Sequence, residues 1–131
     1  MAVGIASGEA QKILDALGNA TNYTAPAAFW LQLHTADPGA AGTTAIAGNA
    51  TRKQVSFGAA SGPAMANDTA IVWSAGEVDT AEDYTHWSAW TASVAGTFLH
   101  SGLVTANAVL VGDTFTIPIG DVDLTITNVA A

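Results

Sequence analysis

Residue types able to do chemistry are few in this chain and widely spaced. Three histidines occur, His34, His86 and His100. A metal centre would need them to converge with a carboxylate such as Asp37, yet no H-x-H or H-x-x-x-H spacing joins any two. They read as imidazoles on strand faces, bonded to backbone or to a partner. Glu77, Asp79, Glu82 and Asp83 crowd one short stretch. Calcium loops alternate oxygen ligands around a tight-turn glycine, a pattern this run matches only loosely, so a solvated acidic loop is expected. Asp121 and Asp123 share a strand face, but a glycosidase pair would need a second strand to set their separation, so they read as a solvent face. There is no G-x-S-x-G elbow and no glycine-rich phosphate loop. With no cysteine, thiolate chemistry and disulfides are absent. No enzyme, cofactor or metal is expected.

The four tryptophans offer recognition rather than reaction. Trp73 reads as core, and Trp87 and Trp90 fall on opposite faces of one strand. Trp30 falls on the polar face of another. Trp30 and Trp90 are thus the outward candidates, suited to a protein interface and secondarily to stacking on a host glycan.

These side chains need strands to hold them. In residues 29–34, Phe29, Leu31 and Leu33 alternate with Trp30, Gln32 and His34, the period-2 signature of a half-buried strand. Asp37-Pro38-Gly39 ends it in a turn. Residues 40–51 are Ala, Gly and Thr without periodicity, a loop expected to touch a neighbouring copy. Further strands are predicted over 53–59, 69–74, 84–91, 97–105, 107–111, 115–119 and 122–126, punctuated by Gly62-Pro63, Gly96, Gly112-Asp113 and Gly120-Asp121. About eight short antiparallel strands predict an all-β domain, a β-sandwich or small barrel, over residues 28–131.

Residues 1–27 differ and are read as an N-terminal arm with a short helix. Ser7 suits a cap, Glu9 a first turn, and Gly18 a left-handed end. Ala10, Ile13, Leu14 and Leu17 make a narrow apolar stripe that must dock somewhere, because so short a helix is marginal alone. Ile5, Ile13, Leu14 and Leu17 are the expected apolar anchors.

The 131 residues suffice for one domain. Half are hydrophobic and only 11% charged, against about 25% in ordinary soluble domains. So few charges on a small domain imply that part of its surface is covered by other chains. Lys12, Arg52 and Lys53 face 11 acidic side chains, for a net charge of −8. That balance argues against nucleic acid and against anionic membrane surfaces. No apolar run approaches the roughly 20 residues of a membrane span, and the N-terminus lacks a signal peptide's basic and apolar regions. Asn-x-Thr triplets at Asn19, Asn22, Asn49 and Asn67 are expected to carry no glycan. Both ends, Met1 and Ala131, are expected to be tied down by an assembly.

Three blocks resemble a family of small virion proteins from phages of high-GC actinobacteria. The first is Leu31-x-Leu33-His34-Thr35-Ala36-Asp37-Pro38-Gly39, followed by 52–60, RKQVSFGAA. The second runs from 85–90, THWSAW, to 96–102, GTFLHSG, and the third is 111–117, VGDTFTI. The resemblance spans about residues 30–127. It implies a non-enzymatic structural protein on the outer capsid surface, decorating the head and bridging major capsid protein subunits, with a homotrimer as the expected state. Members of the same family are also minor tail proteins, and a carbohydrate-binding, host-recognition module is the further alternative.

Overall fold

The computed structural model describes residues 3–126. The expectations resting on Met1, Thr127 and Ala131 lie outside the described residues. One helix, α1 (Ser7–Gly18), precedes eight strands: β1 (Phe29–His34), β2 (Lys53–Val55), β3 (Ala64–Ala66), β4 (Ile71–Trp73), β5 (Glu82–Trp90), β6 (Phe98–Val109), β7 (Phe115–Ile117) and β8 (Asp123–Thr125). Every strand pairing is antiparallel. The all-β expectation with an N-terminal helix holds.

One layer is a four-stranded sheet in the order β2-β1-β5-β6; two ribbons, β3-β8 and β4-β7, complete the fold. The core lies between them. Leu31, Leu33, Trp87 and Ala89 from the sheet meet Ile71, Trp73, Phe115 and Ile117 from the β4-β7 ribbon. The Phe115 ring lies 4.9 Å from Tyr84 and 5.8 Å from Trp73, centroid to centroid. Trp73 and Trp87 are the largest fully buried side chains, and each removes enough apolar area from water to contribute about 2–3 kcal/mol.

Several local expectations change. β1 is buried on both faces rather than one: Leu31, Gln32, Leu33 and His34 are all buried. The cause is the 40–51 loop, which folds back on its own sheet. Ala47 N–H donates to the Leu33 carbonyl and Thr35 N–H to the Ala45 carbonyl, both at 3.0 Å. Gly39, at φ +73°, makes the reversal, and its N–H donates to Asp37 Oδ1 at 2.6 Å. That loop, expected against a neighbouring copy, is therefore anchored within its own chain.

The strand count matches by a different route. The predicted 97–105 and 107–111 strands are one strand, β6, with a register irregularity opposite Tyr84–His86. β3 is additional: Ala64-Met65-Ala66 has little strand propensity and exists because β8, about sixty residues on, pairs with it. Finally, Ser7 is not the cap of α1. Ala6 occupies that position in extended conformation with no side-chain cap. Its N–H donates instead to the Leu99 carbonyl at 2.8 Å, so sheet pairing places the helix start. Gly18 is likewise not left-handed; the positive φ falls on Ala20.

Candidate functional site

Cross-strand register puts Trp30, Gln32 and His34 beside Trp90, Ser88 and His86. His34 Nδ1 lies 2.8 Å from the Thr44 carbonyl, which can only accept, so Nδ1 carries the proton. Nε2 then accepts from Ser88 Oγ at 2.7 Å. Trp90 Nε1–H donates to the same Oγ at 2.8 Å. The chain Trp90 to Ser88 to His34 to Thr44 is satisfied with one proton order and a neutral imidazole. Burial pushes the His34 pKa down, His86 and Arg52 add to that, and the Thr44 carbonyl opposes it.

A serine at this distance from a histidine is the geometry of an activated nucleophile, and 54 residues of separation hid it from sequence reading. Both side chains are completely buried. No substrate reaches them, so the pair organises the sheet face rather than attacking anything.

Arg52 closes this face. Its Nε donates to Gln32 Oε1 at 3.1 Å, and one terminal nitrogen donates to the carbonyls of Ala92 and Ala95 at 2.9 and 2.6 Å. The guanidinium sits 4.3 Å above the Trp90 ring, and Phe98 packs beside that ring. Trp90, expected outward, is only 7% exposed. It lies on the face opposite Trp87, as the alternation predicts, but Arg52 and the 92–98 turn cover it. Trp30 is the one tryptophan that keeps an intermediate exposure.

The expected anchors lie together at the opposite edge of the sheet. Ile5 bridges His100, with Ser101 N–H donating to the Gly4 carbonyl at 2.8 Å. Residues 4–6 thus pair along β6, and the arm is clipped to the sheet rather than free. α1 buries only Glu9, whose carboxylate accepts from Tyr23 Oη and from Lys12 Nζ. Leu14 and Leu17 remain 65% and 83% exposed. Between α1 and the sheet runs a groove of about 890 Å³, lined by Ile5, Ile13, Leu14, Leu103, Asp121 and Ile126 among others. Leu103 and Ile126 are exposed hydrophobics that sequence reading did not single out. Only the fold brings them beside the helix.

Residues 4–125 match the family model described as podophage GP4 fiber I protein gp80. The chain belongs to this family of phage fiber proteins. Among curated proteins no relative matches it. The chain is therefore a structural, non-enzymatic virion component. The match bears out the expectation of a phage virion structural protein, and a fiber family favours the tail and host-recognition alternatives over head decoration.

In this fiber protein the remaining polar candidates hold loops. The Lys53 ammonium, with help from the Ser74 amide and hydroxyl, holds the Glu77 carboxyl down at about 2. Glu82 accepts from the amides of Gly48 and Asn49, fastening the 40–51 loop to β5. His86, beside His34 in register, bonds Thr85 Oγ1, while His100 stacks on Trp87. Among the described residues no group of three His, Asp or Glu side chains is placed to hold a metal ion, and no helix is long and apolar enough to cross a membrane.

Proposed function

We propose that this protein is a repeated building block of a podophage fiber, assembled from copies of itself as a homotrimer, that places a host-contact surface at the virion's exterior. The observation that carries the reading is the family match over residues 4–125, nearly the whole β body and its helix. A charge-poor surface and an uncovered apolar helix face support self-assembly, because such surface is stable only when other chains cover it. A fiber projects from the particle, and its role follows from that position: contact with the cell surface before genome delivery. Trp30, partly open and flanked by Gln54 across the strand, is the residue best placed to stack on a host glycan. The Arg52-covered Trp90 is not.

Cryo-electron microscopy of intact virions tests this reading. Density at the tail, on projecting fibers, supports it. Density on the capsid three-folds, bridging major capsid protein subunits, would restore head decoration and overturn the fiber role. A competition assay addresses the host step: purified protein should slow phage adsorption to cells, and Trp30→Ala should relieve that block if a glycan is read.

A further inference from the structure

We propose that the groove beside α1 is a saccharide-binding cleft, in which the Trp87 indole N–H and the Asp121 and Asp123 carboxylates hold sugar hydroxyls. The inference deepens the host-contact reading and rests on it for the source of the sugar, but it uses Trp87, on the sheet face opposite Trp30. The groove's volume, about 890 Å³, falls within the roughly 300–1,000 Å³ of small-ligand clefts. Trp87 lines this groove yet is only 1% exposed. Among the described residues its Nε1–H has no acceptor, whereas Trp73 donates to the Thr51 carbonyl and Trp90 to Ser88 Oγ, both at 2.8 Å. Buried donors are almost always paired, so one left open in a cleft points to a ligand. Gly102, another lining residue, has no side chain to cover the indole; a Cβ there would lie 2.8 Å from Nε1. His100 stacks on the same indole, ring centroids 5.5 Å apart, and fixes its orientation.

The rest of the lining selects the ligand class. Asp121 and Asp123 are exposed on the wall, and no Lys or Arg is among the described residues that line the groove, so an anion is disfavoured. An ammonium suits the carboxylates but offers the Trp87 N–H no acceptor. An apolar segment leaves all three groups unanswered. A hydroxyl both accepts and donates, so neighbouring hydroxyls on one ring answer the indole N–H and the two carboxylates together. Ile5, Ile13 and Leu103 give the apolar C–H faces of such a ring a surface to pack on.

Nuclear magnetic resonance reads this directly, because the chain has four tryptophans and each indole N–H gives its own signal. The protein is titrated with oligosaccharides released from the host envelope by mild acid. The Trp87 indole proton should move downfield and saturate as it gains an acceptor, and Trp30→Ala should leave that shift unchanged. Asp121→Asn with Asp123→Asn should weaken binding about tenfold, because hydrogen bonds to a charged acceptor are the stronger ones. A shift confined to the Trp30 indole overturns the groove and leaves glycan contact at Trp30 standing. No shift at any indole overturns both glycan sites but not the fiber reading, which the virion density decides. Unchanged affinity in the double variant, with its far-UV spectrum intact, would also count against the proposal.

Discussion

At the scale of single residues, buried polar side chains hold much of this β body in register. Asn67 uses its full capacity: Nδ2 donates to the carbonyls of Thr69 and Pro118 at 2.8 and 2.9 Å, and Oδ1 accepts from Gly120 and Val122 at 3.0 and 2.9 Å. Asn67→Asp keeps the shape but removes both donations and turns a carboxylate oxygen towards two carbonyls. It should destabilise the protein by about 2–4 kcal/mol, read as a lower urea midpoint with an unchanged slope. The Asn-x-Thr triplet there is thus a buried structural asparagine.

His34 gives a pH dependence with a definite sign. Burial lowers its folded pKa below the usual 6.5, so the unfolded chain binds more protons once the pH drops below that value. Its contribution is present in full above pH about 6.5 and is lost on acidification, with a slope of at most about 1.4 kcal/mol per pH unit. Burial lowers His100 as well, so the two act in the same direction. Urea unfolding between pH 7 and 5 should show the decline, and His34→Gln should flatten part of it. An equally steep decline in that variant would mean the imidazole is not its source.

Among elements, the arm joins the helix to the sheet. Two backbone bonds, Ala6 to Leu99 and Ser101 to Gly4, cover the edge of β6. A chain beginning at Ser7 should keep its far-UV spectrum and core but lose about 1–3 kcal/mol of stability. It should also aggregate more readily, because an open strand edge templates pairing with other chains. Light scattering on heating checks this: no increase over the full chain would mean the edge is protected by other means. Gly102 shows how tightly this sheet is filled, since a Cβ there would lie 2.3 Å from the Trp87 ring.

For the whole molecule, the pairings join distant parts of the chain. β3 meets β8, β4 meets β7, and residue 5 meets residue 100. Such non-local pairings must close long loops before contacts compensate, so refolding is expected in milliseconds to seconds rather than microseconds. Stopped-flow tryptophan fluorescence reads this directly, since Trp73 and Trp87 are fully buried.

What the sequence determined by itself is what local patterning encodes. Period-2 alternation at 29–34 and 115–117 located strands, Asp37-Pro38-Gly39 located a turn, and the i, i+3, i+4, i+7 stripe located α1. The small number of charges pointed to an assembled protein. Tertiary structure decided the rest, because those facts depend on residues far apart in the chain. β3 is a strand only through β8, and Ala6 replaces Ser7 at the helix start only because Leu99 accepts its amide. Trp90 is covered only because Arg52 crosses it, and the His34–Ser88 pair spans 54 positions. The groove has the same origin: its helix anchors were legible as an apolar stripe, but Leu103 and Ile126 join them only when the sheet brings three separate segments to one edge.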